Sequence, residues 1–390
     1  MGLFSLIKGG SRKAKDVALD SSMGNILITG FSKKGPEEII RSYAIDALDN
    51  NSVLIVFRDQ ATGYSVYPSV TSSLNYVYEI DCADNSTTKQ IDIFAGYNES
   101  EINNNIIKLF DQYSEIDKTK KMSFTNYIAL LRGLAKKSGK NVKLDQFIDY
   151  PIEEVEDLNF KYASSPMEQS RNDRFLSGIR ANISELESYF YDFSQNVLGY
   201  IFSGNKSFDV IFSQKPIVEI SLDFSGKFEE SKIIMSTMVE ALLKTNVFAM
   251  GKTGIKVIAS EVPNEILIES GLQKLIKNNK TFGVLYTVAD ISSLIDQSNE
   301  WIDFADTYFF FKQTSNKNKD FCSELFGEYE KEKESVTMHN TKLFFYDSKD
   351  KTKTLEKERV YPPEVFSGLQ DNQAIYYNKL KNEHIFLNVY

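Results

Sequence analysis

Residues Asn25 to Glu37, NILITGFSKKGPE, decide the fold. The first five, Asn25 to Thr29, make a short apolar run that stops at a glycine, which reads as a buried strand. Gly30 to Gly35 is a glycine-rich turn, and Glu37 to Leu48 (EEIIRSYAIDAL) carries apolar residues at helical spacing. The unit is therefore strand, loop, helix.

Outward from that unit the alternation repeats. Val53 to Phe57 (VLIVF) is a second buried strand and Tyr76 to Ile80 a shorter third. Strands that alternate with helices imply a parallel sheet. From Ile102 to Ile201 the period changes: Tyr127, Leu130, Leu131 and Leu134, and again Ile183, Leu186, Tyr189, Phe190 and Phe193, recur at three and four. That spacing predicts a mostly helical insertion of about a hundred residues, with a polar loop over Ser164 to Asp173. Strand signals resume at Ile217 to Leu222, Ile255 to Ala259, Gly283 to Val288 and Thr307 to Phe311. Between them the pattern predicts helices over Glu229 to Leu243 and Glu265 to Lys277. The charge-rich stretch from Lys312 to Lys357 reads as a solvated helix and loops, and Ala374 to Tyr377 with Ile385 to Tyr390 as a hairpin.

The expected architecture is α/β: a mainly parallel sheet flanked by helices, with an all-α insertion. Residues 1–22 form a leader, 23–101 and 202–390 one discontinuous α/β domain, and 102–201 the insertion.

With 390 residues, 42% of them hydrophobic, 28 Phe and 21 Tyr, the chain can bury a sizeable core, and disorder is not the default. Cys82 and Cys322 stand far apart, and His339 and His384 have no metal-spaced partner, so neither a disulfide framework nor a structural zinc is expected. A reducing, cytoplasmic setting fits. The N-terminus MGLFSLIKGG is too short in its apolar part for a signal peptide, Leu6 breaks the myristoylation pattern at Gly2, and no run is long enough to span a membrane. Leu3, Phe4, Leu6 and Ile7 beside Lys8, Arg12, Lys13 and Lys15 form a short amphipathic stretch that reads as a frayed or packed terminus or, alternatively, as a foot on a membrane or partner. A net charge of −9 disfavours general coating of nucleic acid, since phosphate binding draws on clustered Lys and Arg.

A phosphate loop needs G-x-x-x-x-G-K-[ST] between a buried strand and a helix. Its glycines let backbone N–H groups wrap the phosphates, its Lys neutralises charge, and its hydroxyl holds Mg²⁺. Here Gly30 and Gly35 have the right spacing, but Pro36 stands at the Lys position and Glu37 at the hydroxyl position. Proline lacks the N–H, and a carboxylate opposes phosphate by like charge. Gly30, Ser32, Lys33, Lys34 and Gly35 thus make a degenerate phosphate loop, in which Lys33 or Lys34 is the available replacement cation. The simpler reading is a tight turn ahead of a helix with Pro near its start. The metal-holding acidic pair at the end of a second apolar strand should be hhhhDE; Val257-Ile258-Ala259-Ser260-Glu261 has Ser in place of the Asp and keeps only Glu261, a candidate general base. No metal site is expected.

The order of segments resembles the TraG-like branch of the HerA/FtsK superfamily, which includes the coupling proteins of type IV secretion. GNILITG is similar to that family's phosphate-loop strand, and KQIDIFAG (Lys89 to Gly96) to the segment ahead of its helical insertion. Ser203 to Ser225 (SGNKSFDVIFSQKPIVEISLDFS) resembles the passage that follows the insertion. KVIASE stands where the acidic pair belongs, FGVLYTVADISSL (Phe282 to Leu294) where a strand ends in a sensor Gln, and Lys357 to Tyr390 resembles the closing stretch and hairpin. Val288 or Ala289 occupies that Gln position. The resemblance implies a RecA-like P-loop fold and, given the departures, a pseudo-ATPase with neither ATP nor Mg²⁺ as cofactor. It further implies a structural or adaptor subunit of a conjugation, secretion or mobile-element machine, peripheral to the inner membrane. Its expected partners are protein components of that machine, an active ATPase homologue or, as a homo-oligomer, further copies of this chain. Alternatives are an active, divergent ATPase that uses Lys33 or Lys34 with Glu261, and a DNA-binding ring without hydrolysis.

Overall fold

The computed structural model describes residues 12–13, 24–66, 76–83, 88–279, 281–297, 299–339 and 348–389. The amphipathic stretch Leu3 to Ile7 lies outside them. In chain order the first elements are β1 (Arg12–Lys13), β2 (Ile26–Thr29), α1 (Gly35–Asp49), β3 (Val53–Asp59) and β4 (Val77–Asp81). A run of helices follows: α2 (Glu99–Tyr113), α3 (Lys118–Lys137), a 3-10 turn (Leu144–Asp149), α4 (Ile152–Tyr162), α5 (Pro166–Ile179), α6 (Ile183–Gln195), α7 (Val197–Ile201) and α8 (Phe208–Gln214). Strand and helix then alternate through β5 (Ile217–Leu222), α9 (Phe228–Leu242), β6 (Ile255–Ser260), α10 (Asn264–Glu269), α11 (Leu272–Asn278), β7 (Phe282–Val288), α12 (Ser292–Gln297), α13 (Asn299–Phe304), β8 (Thr307–Phe310) and α14 (Asn316–Leu325). The chain closes with β9 (Glu328–His339), β10 (Ser348–Arg359), α15 (Pro363–Gly368), β11 (Gln373–Asn378) and β12 (Glu383–Asn388).

Two compact units result. The first comprises Met1–Leu19, Ile26–Ile39 and Val288–Tyr390, the second Asp20–Asn25 and Ile40–Thr287, so the division falls inside α1.

In the second unit the strand order is β7-β6-β3-β5-β4, and every pairing is parallel. Val53 to Phe57 is wholly buried because β3 lies between β5 and β6, which explains a continuous apolar run in place of alternation. The helices of this unit have a core of aromatic rings: Phe110 meets Phe193 edge-on at 5.0 Å, and Phe190 stacks on Phe147 at 5.1 Å. Each such ring, taken out of water, stabilises the unit by about 2–3 kcal/mol.

Two sequence expectations fail here. Ser164 to Asp173 is not a loop: α5 begins at Pro166, with the Ser165 side chain accepting from the Glu168 N–H. Ser followed by Pro at the first helical turn is a start signal that the polar composition concealed. The single helix expected over Glu265 to Lys277 is two helices, broken where Gly271 adopts a left-handed φ of 76°.

In the first unit the order is β1-β12-β11-β8-β2, with β2 parallel to β8 and β11 antiparallel to both β8 and β12. The closing hairpin expected from Ala374 onward is β11 and β12. The charge-rich stretch is a helix only over α14. Beyond it, β9 and β10 pair antiparallel, from Glu328 opposite Arg359 to His339 opposite Ser348, where loops were expected. The register sets Glu328 opposite Arg359 and Glu330 opposite Lys357, and opposite charges at facing positions favour pairing. Without an apolar face, the stretch had no strand period for the sequence to display. Among the described residues no helix is long and apolar enough to cross a membrane.

Candidate functional site

The degenerate phosphate loop and Glu261 fall in different units, and each has its own geometry. In the first unit β2 delivers the chain to Gly30, whose φ of 98° is open to glycine and strained for any other residue. A β-carbon there would lie 2.3 Å from Gln313 Nε2 and 2.8 Å from the Phe311 carbonyl oxygen. Phe31 is exposed and donates its N–H to Lys312 O at 2.9 Å, so the turn leaves β2 along the segment after β8.

The interior of the turn is occupied by the protein's own groups. Ser32 Oγ donates to Asp371 O at 2.6 Å and accepts the Gly35 N–H at 2.9 Å. The Lys33 N–H donates to Asp371 Oδ1 at 2.7 Å. A β-carbon on Gly35 would fall 2.1 Å from Phe311 Cε1, because the buried Phe311 ring lies against the start of α1. Gly35 is therefore required by an aromatic ring. Lys33, Lys34 and Glu37 are exposed. Asp371, in the segment between α15 and β11, was not singled out in the sequence; more than 330 residues separate it from the loop it touches.

In the second unit, Glu261 follows β6 with a φ of 55°, left-handed for a residue that is not glycine. Thr287 holds it twice. The Glu261 N–H donates to Thr287 Oγ1 at 2.8 Å, and Thr287 Oγ1 lies 2.8 Å from Glu261 Oε1. Burial pushes the Glu261 carboxyl above the usual glutamate range; the Thr287 hydrogen bond opposes the shift and the neighbouring Asp59 adds to it. Ser260, at the metal-ligand position, is fully buried and accepts the Tyr64 N–H at 2.8 Å. It serves the backbone of the loop after β3.

The end of β3, that loop and β5 bring together polar groups that sequence reasoning missed. Arg58 Nε donates to Glu219 Oε1 at 2.8 Å, and the Glu219 side chain, 2% exposed, also accepts from Ser65 Oγ at 2.7 Å and the Val66 N–H at 3.2 Å. Asp59 Oδ2 accepts the Thr62 N–H at 2.9 Å and Thr62 Oγ1 at 2.6 Å. The available signal was the abrupt Arg-Asp at the end of VLIVF, where a buried strand turns polar on emerging from the sheet. Burial perturbs the protonation of Glu261, and proton transfer is the chemistry such a carboxyl can supply.

Among the described residues no cluster of three or more His, Cys, Asp or Glu is placed to hold a metal ion. Cys82 and Cys322 are buried, and burial raises both thiols well above the ordinary range, so neither is a ready nucleophile. His384 Nδ1 lies 2.9 Å from Tyr361 Oη and its ring meets Phe326 edge-on.

No family model matches the chain, and no curated protein matches it either. Solved structures do. The plasmid coupling protein TrwB in complex with ADP and Mg²⁺ is 12% identical, with 94% of this chain and 84% of that one covered and a TM-score of 0.56. The same coupling protein in a trigonal form with sulphate is 11% identical over 94% and 85%, also at 0.56. VirB4 of Thermoanaerobacter pseudethanolicus is 10% identical over 94% and 89%, at 0.53. At such identities the likeness establishes a fold: this chain has the RecA-like, P-loop-type α/β fold of those proteins, as its segment order implied.

Proposed function

We propose that the chain is a degenerate, coupling-protein-like pseudo-ATPase that serves as a structural or adaptor subunit of a conjugation, type IV secretion or mobile-element machine. The observation that carries this reading is the Asp371 carboxylate on the Lys33 N–H at 2.7 Å. In a phosphate loop, backbone donors face the phosphates; here a fixed carboxylate takes one of them, Ser32 Oγ takes another and Phe311 covers Gly35. With Pro36 and Glu37 at the cation and hydroxyl positions, these residues do not fit a magnesium nucleotide in the usual pose.

The partners on this reading are protein components of the machine or an active ATPase homologue. The helical insertion, residues 102–201, supplies the recognition surface, and the chain works in the cytoplasm beside the inner membrane. Calorimetric titration with Mg-ATP should give no saturable heat, and turnover should be absent. A saturating isotherm on the unmodified protein, abolished by Lys33→Ala or Lys34→Ala, would sink the reading.

That second outcome belongs to the divergent ATPase, which one observation favours: the buried, Thr287-held Glu261 has the raised carboxyl expected of a general base. If it is a base, Glu261→Gln removes turnover and leaves nucleotide binding intact.

A further inference from the structure

In the second unit α2, α3, the 3-10 turn and the segment after α7 border a solvent-open cavity of about 550 Å³. This is the size of a small-molecule site, and although it lies among the helices read above as a recognition surface, its ligand does not depend on that reading. Two features of its wall are specific. Arg132, Lys136, Lys140 and Lys143 line it against only Asp92 and Glu99, a local cationic excess in a chain whose net charge is −9. Its apolar wall is made by the partly exposed Phe94, Ile102 and Ala129.

Arg132 is fixed within this wall. Its Nη1 donates to Asn103 Oδ1 at 2.6 Å and its Nη2 lies 3.0 Å from Glu99, so the guanidinium is held in place before any ligand arrives. Lys136 reaches the same Glu99 at 2.9 Å, and Lys140 sits over the Tyr150 ring at 5.7 Å. Glu99 therefore answers two of the four cations, and the wall retains positive charge. Gly133 on α3 lines the cavity at an exposed position, and a β-carbon there meets no atom within 4 Å.

We infer that this cavity is a binding site for a small amphipathic anion, an aromatic or aliphatic body bearing a carboxylate, sulfonate or phosphate. The body lies on the apolar wall and the acid group meets Arg132, Lys136 and Lys140. Neither an apolar ligand nor a bare ion satisfies both halves.

The probe is 8-anilinonaphthalene-1-sulfonate, whose fluorescence rises on entering an apolar site, titrated into the full chain. It should bind saturably at one site per chain, with the uncharged N-phenyl-1-naphthylamine at least tenfold weaker. Gly133→Phe, which fills the cavity, should abolish the saturable signal with an unchanged unfolding midpoint, and the double variant Lys136→Ala/Lys140→Ala should weaken binding at least tenfold. The charge variants keep the test decisive should Gly133→Phe misfold. Equal affinity for the uncharged probe, or binding that neither the folded cavity-filling variant nor the charge variants disturb, overturns the inference.

Discussion

Gly35 and Gly133 mark two opposite uses of a missing side chain. At Gly35 the space is taken: the Phe311 ring lies where a β-carbon would be, and the turn around it is closed by Ser32 and Asp371. At Gly133 the space is open, and a cationic cavity borders it. A turn that resembles a ligand loop is thus sealed by its own chain, whereas a helical segment with no ligand motif keeps room for a guest. A glycine pattern records where the backbone needs freedom or proximity; what approaches it is a matter of packing.

The contrast can be broken most sharply at Phe311. Phe311→Ala should cost about 3–5 kcal/mol in urea unfolding, since the ring is fully buried. A loss under about 1 kcal/mol would mean that the ring does not hold the turn shut.

The glycine pair gives the next effect, with opposite signs. Gly35→Ala should destabilise by about 1–3 kcal/mol, because the new methyl group overlaps a packed ring. Gly133→Ala should stabilise by about 0.5–1 kcal/mol, as an unobstructed helix-interior position. Equal signs in the same unfolding assay would erase the distinction between a filled and an open site.

The smallest expected effect is at Glu261 and appears as a pH dependence. Its carboxyl is raised in the folded state, so the folded protein binds that proton more tightly than the unfolded chain does. The stability this lends is fully present below the unfolded glutamate value and is lost as pH rises through the raised folded value. Glu261→Gln should flatten that decline and leave the unfolding midpoint at neutral pH equal or higher. An unaltered pH profile would show that burial does not perturb the group.

The apolar runs were legible because their cause is local. A strand covered on both faces must be continuously hydrophobic, and VLIVF is such a strand of the sheet. Segments whose stabilisation is not apolar were misread. The β9–β10 hairpin is polar along its length, α5 begins with a serine-proline start inside a polar stretch, and Gly271 breaks a helix with a regular apolar period. In the candidate sites the sequence showed the loop glycines, Ser32, Lys33, Lys34 and Glu261, but neither Asp371 nor the Arg58–Glu219 pair. These are contacts between residues 338 and 161 positions apart, and no spacing rule reaches so far.

By itself the sequence determined the strand–turn–helix start, the order of buried strands and the loss of the cation and hydroxyl at the turn, since each is written in neighbouring residues. Only the tertiary structure decided that Asp371 and Phe311 close that turn, that Thr287 holds Glu261, and that a cationic cavity borders Gly133. Those outcomes depend on which distant side chains the folded backbone carries to within a few ångströms, and hydrogen bonds and packing act only at that range.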